Sequence, residues 1–159
     1  MDKEEVNLLK EFTLSDQLRK IIILVHQISR QELNNNKIKI EPNQLPILML
    51  PHLYPGITQQ EIAQKTSRVK ASVNRTIKIL EGLEYLTVTE NPNDKRQKNI
   101  RTTSYGNVEA KKILKIRKLM EAKLKVVYGE QEYHCLNTSL TLLLEKLTGF
   151  LDTNTEPKK

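Results

Sequence analysis

The stretch ITQQEIAQKTSRVKASVNRTIKILEGLEYLTVTENPNDKRQKNIR, from Ile57 to Arg101, decides the fold. It opens on Thr58, Gln59, Gln60 and Glu61, the spacing of a capping box. In that motif the threonine hydroxyl takes the third backbone N–H while the carboxylate reaches back. Ile62 and Ala63 then point inward, and Lys65 to Arg68 leave only a short connection to a second helix over Lys70 to Leu83. On that helix Val73, Ile77 and Leu80 follow a step of four and then three, which keeps them on one face. The opposite side carries Arg68, Ala71, Arg75 and Lys78, with Ser72 and Asn74 on its shoulders. Two short helices so joined read as a helix-turn-helix. A second helix buried on one face, with short polar and cationic groups on the other, suits a DNA major groove.

After Leu83 the period changes. Leu86 to Thr89 and Ile100 to Thr103 are rich in β-branched residues, and Asn91, Pro92, Asn93 and Asp94 between them are turn formers. Lys95, Arg96 and Lys98 follow, so the segment predicts a basic β-hairpin, a wing on the helix-turn-helix. Ile57, Ile62, Val73, Ile77, Leu80 and Leu86 supply the core of this domain.

Outward from it, Val6, Leu9 and Phe12 allow a short amphipathic helix or arm. Thr13 or Ser15 can cap a helix from Leu14 to about Leu33 whose apolar stripe includes Leu14, Leu18, Ile21, Ile22, Val25 and Ile28. Asn34, Asn35 and Asn36 form a turn-prone run, since asparagine tolerates left-handed geometry. A further helix begins near Pro42 or Asn43; with Asn43 as cap, Pro46 falls in the first turn, and Pro51 should kink or end the helix. On the other flank, Ser104 can cap a long helix to about Tyr128, basic over Lys111 to Lys118, with Gly129 as its C-cap. Asn137 then caps a last helix in which Leu140, Leu143, Leu144, Leu147, Phe150 and Leu151 keep a three-four pattern.

Composition sets the class. The 159 residues are 38% hydrophobic and 4% aromatic with no tryptophan, which fits a Leu/Ile-packed, mostly α protein with room for one core and helical arms. A net charge of +7 favours a polyanionic partner. A single cysteine, Cys135, excludes an internal disulfide framework. The charged Met1 to Lys10 segment has no apolar signal core, and the longest apolar run, Ile21 to Val25, is far below membrane-spanning length. A soluble, cytoplasmic protein with no membrane partner is expected.

The end helices carry more apolar surface than one small winged domain can bury. A homodimer is the economical solution, because a two-fold pair would set two recognition helices roughly 34 Å apart, one DNA turn. A monomer whose end helices pack together is the competing arrangement.

Ile57 to Ala63, Ala71 to Arg75 and the wing-tip Asp94, Lys95, Arg96, in this order, resemble the MarR family of winged-helix transcription regulators. The resemblance implies a winged helix-turn-helix flanked by N- and C-terminal dimerisation helices. Its parts would be an arm over residues 1–36, a DNA-binding domain over 37–104, C-terminal dimerisation helices over 105–151 and a disordered tail over 152–159. It further implies a homodimer on a pseudo-palindromic operator, a repressor released by a small-molecule effector. The recognition positions would be Ser72, Asn74, Arg75 and Lys78, supported by Arg68, Lys70, Lys95 and Lys98. Arg96 would enter the minor groove and Asp94 would orient the wing. The effector pocket would lie near His26, His52, Tyr54 and Tyr105. Ser67 and Glu84 stand where that family often has glycine, leaving the helix ends and the exit angle of the wing open.

Enzymatic chemistry is not expected: five scattered glycines form no phosphate loop, and His26, His52 and His134 lack metal-ligand spacing, so no metal or cofactor is implied. Cys135 beside His134 reads as packing rather than a redox pair. The bland reading of the cations is a solvated hairpin tip and helix face; on adjacent elements together they favour double-stranded DNA. The alternative function is a winged-helix protein-interaction or replication-initiator module without effector-regulated operator binding.

Overall fold

The structure, a computed structural model, describes residues 13–91 and 97–154. The expected helix over Val6, Leu9 and Phe12 and the wing-tip residues Pro92 to Arg96 lie outside the described residues. The chain divides into two compact units after Leu114.

The first unit begins with α1, Leu14–Asn35, and Thr13 rather than Ser15 is its cap: the Thr13 hydroxyl accepts the Asp16 N–H at 3.3 Å while Asp16 reaches back. Those contacts, the threonine side chain first, hold the Asp16 carboxyl below its ordinary pKa. Of the asparagine triplet, Asn34 and Asn35 stay helical and Asn36 takes the C-cap, donating its side-chain N–H to the Glu32 carbonyl at 2.8 Å. The left-handed residue is the next one, Lys37, at φ 58°.

Asn43 does not cap the following helix. Pro42–Gln44 form a single 3-10 turn closed by Gln44 N–H to the Glu41 carbonyl at 2.8 Å, and α2 runs Leu45–Leu53 after it. Pro46 occupies the first turn as expected. Pro51 sits inside α2 and does not end it; the helix goes on to Leu53, and Tyr54 N–H still reaches the Leu50 carbonyl at 2.8 Å. Ile47, Leu48 and Met49 are buried with Pro51, so packing offsets the one hydrogen bond that proline forfeits.

Next come β1, Ile57–Thr58, then α3, Gln59–Lys65, and α4, Lys70–Gly82. The hairpin strands are β2, Leu86–Glu90, and β3, Lys98–Thr102. The sheet has three strands in the antiparallel order β1-β3-β2 rather than two. The short β1 places Ile57 opposite Ile100, and β2 places Val88 opposite the same residue. Ile100, fully buried, therefore fastens the start of the helix-turn-helix to the wing. Gly56 makes the approach possible: it has φ +90°, and its N–H donates to the Ile100 carbonyl at 3.0 Å.

Helix α5, Ser104–Tyr128, begins one residue earlier than a Ser104 cap would allow. Thr103 takes that role, because its hydroxyl can accept the Gly106 N–H at 2.8 Å and donate to the Glu84 carbonyl at 2.6 Å. One side chain thus starts α5 and closes the turn after α4. The expected core residues Ile57, Ile62, Val73, Ile77, Leu80 and Leu86 are all buried, joined by Leu33, Ile38, Ile47, Leu48, Tyr85, Ile100 and Ile113.

The second unit contains the rest of α5 and α6, Glu130–Asn154. Gly129 separates the two helices at φ +95°. Asn137 does not cap α6 but lies inside it, its carbonyl accepting the Thr141 hydroxyl at 2.9 Å. The glycine break is sufficient to start the helix, and Glu130 and Glu132 in the first turn complement its dipole. The helix passes Leu151 to Asn154, so only residues 155–159 of the expected tail lie outside it and outside the described residues. Among the described residues every buried hydrophobic side chain belongs to the first unit.

Candidate nucleic-acid interface

The helix-turn-helix is assembled by its caps. Thr58 accepts the Glu61 N–H at 3.3 Å, and the Glu61 carboxylate accepts from the Thr58 N–H at 2.8 Å and hydroxyl at 2.7 Å. The threonine side chain first, and its N–H second, hold the Glu61 carboxyl below its ordinary pKa. At the other end of α3, Thr66 donates its hydroxyl to the Ile62 carbonyl at 2.7 Å, Ser67 takes φ 51°, and Arg68 N–H returns to the Ala63 carbonyl at 3.0 Å. That last bond and the left-handed residue before it make a Schellman cap. The Gln59 side chain, donating to the Lys70 carbonyl at 3.1 Å, then ties α3 to the first turn of α4.

The same cap recurs where α4 ends: Glu84 has φ 61°, and Tyr85 N–H bonds the Leu80 carbonyl at 2.9 Å. Leu80 and Tyr85 are both buried, the apolar contact that accompanies such caps. So the two positions where glycine is missing, Ser67 and Glu84, do adopt the backbone that glycine would ease, and the helix ends keep their geometry. Beyond the cap, Gly106 lies so close beneath the Tyr85 carbonyl that a Cβ would overlap it. Tyr105 stacks on Tyr85 at 5.2 Å between ring centroids. Burial pushes the Tyr85 hydroxyl up to about 12.

With Val73, Ile77 and Leu80 buried, α4 exposes Lys70, Ala71, Ser72, Asn74, Arg75 and Lys78, while Arg68 is half-buried at its entrance. Neither Arg75 nor Lys78 forms an ion pair among the described residues, so both charges are available to an external anion. The hairpin is closed by Asn91 N–H to the Gln97 carbonyl at 3.0 Å, and Lys98 at the base of its return strand is exposed. Asp94, Lys95 and Arg96 lie outside the described residues.

The four residues expected near an effector belong to separate sets of contacts. His26 lines a cleft with Ile23, Gln27, Pro42 and Asn43, beside an Arg30–Glu41 ion pair of 2.6 Å. His52 Nδ1 lies 2.8 Å from the Asn107 side-chain oxygen, which also accepts the Thr102 hydroxyl at 2.7 Å. Tyr54 receives the Lys65 ammonium 5.1 Å from its ring centre, and Tyr105 is the ring stacked on Tyr85. Asn107 joins α2, β3 and α5, yet nothing in the sequence singled it out, because its partner His52 is 55 residues away. Among the described residues no group of acidic, histidine or cysteine side chains could hold a metal ion. No described helix is long and apolar enough to cross a membrane.

These elements define a winged helix-turn-helix protein with long flanking helices. Residues 40–98 match the sequence pattern of the MarR family. The fold is similar to that of MepR from Staphylococcus aureus, solved as a DNA complex, with a TM-score of 0.77 and 27% identity over 86% of this chain and 99% of that one. It is similar in fold to MarR, with a TM-score of 0.77 and 22% identity over 96% of this chain and 98% of that one. The transcriptional repressor CouR, bound to a 23-mer DNA duplex, gives 0.73 and 22% over 91% of this chain and 98% of that one. No curated protein matches the sequence.

Proposed function

We propose that this chain is a transcription regulator that binds double-stranded DNA in a sequence-specific manner, as a homodimer on a pseudo-palindromic operator. The observation that carries the reading is the two-faced α4: Val73, Ile77 and Leu80 are buried while Ser72, Asn74, Arg75 and Lys78 stand exposed. Such a helix enters the major groove, where arginine reads guanine and asparagine reads adenine. Arg68, Lys70, Lys95 and Lys98 would bind phosphates, and Arg96 would enter the minor groove with Asp94 orienting the wing. The DNA complex of MepR, at 27% identity, supports this assignment.

Support for the homodimer comes from the flanking helices. Leu14, Ile21, Ile22, Ile23, Leu24 and Ile28 on α1 are exposed, as are Leu140, Leu144, Leu147, Phe150 and Leu151 on α6. Contiguous apolar stripes of this kind are rare on a monomer's surface and mark association. Residues 1–36 and 105–151 would then be the dimerisation helices around a DNA-binding domain at 37–104. Repression relieved by a small-molecule effector is the family's mode of action and rests on the resemblance alone.

The test is selection of duplex fragments from the source genome by the purified chain, followed by footprinting. Two-fold sites protected over two adjacent major grooves are expected. Weak binding without sequence preference that vanishes with moderate salt would instead mark an interaction module.

A further inference from the structure

Resting on the DNA-binding reading, we propose that Val69 is a specificity-determining residue that packs against the 5-methyl group of a thymine in each half of the duplex site. Val69 is the residue immediately before α4, and its carbonyl accepts the first intrahelical bonds from Ser72 at 3.0 Å and Val73 at 3.2 Å. It is therefore the N-cap, the place where serine, threonine, aspartate and asparagine are favoured and valine is among the poorest choices. No side-chain hydrogen bond caps the helix.

The valine does not compensate by packing, for it is 73% exposed. A lone exposed apolar side chain is ordinary surface. This one forfeits a cap as well, at the leading end of the helix whose N-terminal residues would meet base edges. A residue that forfeits a helix cap, with no gain inside the fold, marks a functional constraint.

The surroundings fit one apolar contact within a polar frame. Val69 rims an open groove with Gln60, Gln64, Ser67 and Lys70, and the neighbouring charges of Arg68 and Lys70 suit phosphates on either side. Among the groups that bases present in the major groove, the apolar one is the thymine methyl, and aliphatic side chains recognise it.

The experiment uses the full-length chain and a random-sequence duplex pool. The enriched duplex is resynthesised with uracil replacing one thymine at a time, which deletes only the methyl, and binding is compared for the wild type and Val69→Ser. Wild type should lose about fourfold in affinity at one thymine per half-site, the worth of one buried methyl group. Val69→Ser should show no loss at that position, yet melt no lower than wild type because serine supplies the missing cap. A purely structural valine would give the opposite pairing, with lower stability and an unchanged uracil penalty. Equal penalties in both proteins, or none at any thymine in the wild type, would overturn the assignment while leaving DNA binding intact. Failure of the wild type to enrich any sequence would overturn both.

Discussion

Replacing Ser67 or Glu84 with glycine should stabilise the protein, although neither change adds a contact. Both residues hold left-handed backbone, at φ 51° and 61°, inside the caps that end α3 and α4. For an L-residue that geometry costs roughly 1–2 kcal/mol, from the clash of Cβ with the following carbonyl. Glycine escapes the clash but loses more conformational freedom on folding, about 0.5–1 kcal/mol relative to alanine. The difference leaves a gain of about 0.5–1 kcal/mol per site. Removing either side chain costs no contact inside the fold, because both are exposed and the bonds made at these positions use their backbone atoms: Ser67 N–H to the Gln64 carbonyl, and the Glu84 carbonyl to the Thr103 hydroxyl. For a chain of this length each kcal/mol moves the melting temperature by about 2–4 °C. Each variant should thus melt roughly 1–4 °C higher at a fixed protein concentration, with a matching rise in the urea midpoint and an unchanged m-value. Gly56→Ala supplies the reverse: glycine stands there at φ +90° with the Arg101 guanidinium 3.2 Å from a Cβ position, so stability should fall. If Ser67→Gly and Glu84→Gly both melted at or below the wild type, the account of the two caps would be wrong.

Other substitutions probe different joints. Arg75→Ala should weaken the selected duplex by about 1–3 kcal/mol and relax base preference, and Arg96→Ala should lower the salt slope of binding, both read by titration at several salt concentrations. Gly106→Ala should cost about 1–3 kcal/mol in urea unfolding, since the added methyl meets the Tyr85 carbonyl rather than a side chain able to move. Thr58→Ala should cost about 1 kcal/mol near neutral pH through the lost cap. Because Thr58 depresses the folded-state pKa of Glu61, the part of that contribution made with the carboxylate is complete above the ordinary carboxylate pKa and disappears as pH falls through the lowered one, while the bond from the Glu61 N–H to the Thr58 hydroxyl remains. The gap between the melting curves of wild type and Thr58→Ala should therefore narrow on acidification without closing. Asn107→Ala leaves His52 Nδ1 and the Thr102 hydroxyl without their shared partner and should cost about 1–3 kcal/mol, measured by denaturant titration.

Much of the winged domain was legible because its signals are local. The Thr58–Glu61 box, the Val73, Ile77, Leu80 face and the β-branched strands each depend on residues only a few positions apart, and all occur where their spacing puts them. The misplaced boundaries share one cause. Ser104 and Asn137 are good caps by residue type, but Thr103 could serve both α5 and the Glu84 carbonyl, and Gly129 had already broken the chain before α6. Among polar residues of similar capping power, the one with a second partner or a preset turn takes the helix start.

What the sequence determined by itself is periodicity and charge: which helix is two-faced, which segments pair as hairpin strands, and which cations the exposed face of α4 carries. The tertiary structure alone decided that Ile57 pairs with Ile100, that Asn107 receives both His52 and Thr102, and that Ser67 and Glu84 accept left-handed backbone. Partners distant in the chain leave no periodic trace, and an unfavourable φ is tolerated only when hydrogen bonds and buried neighbours on both sides of it offset the cost.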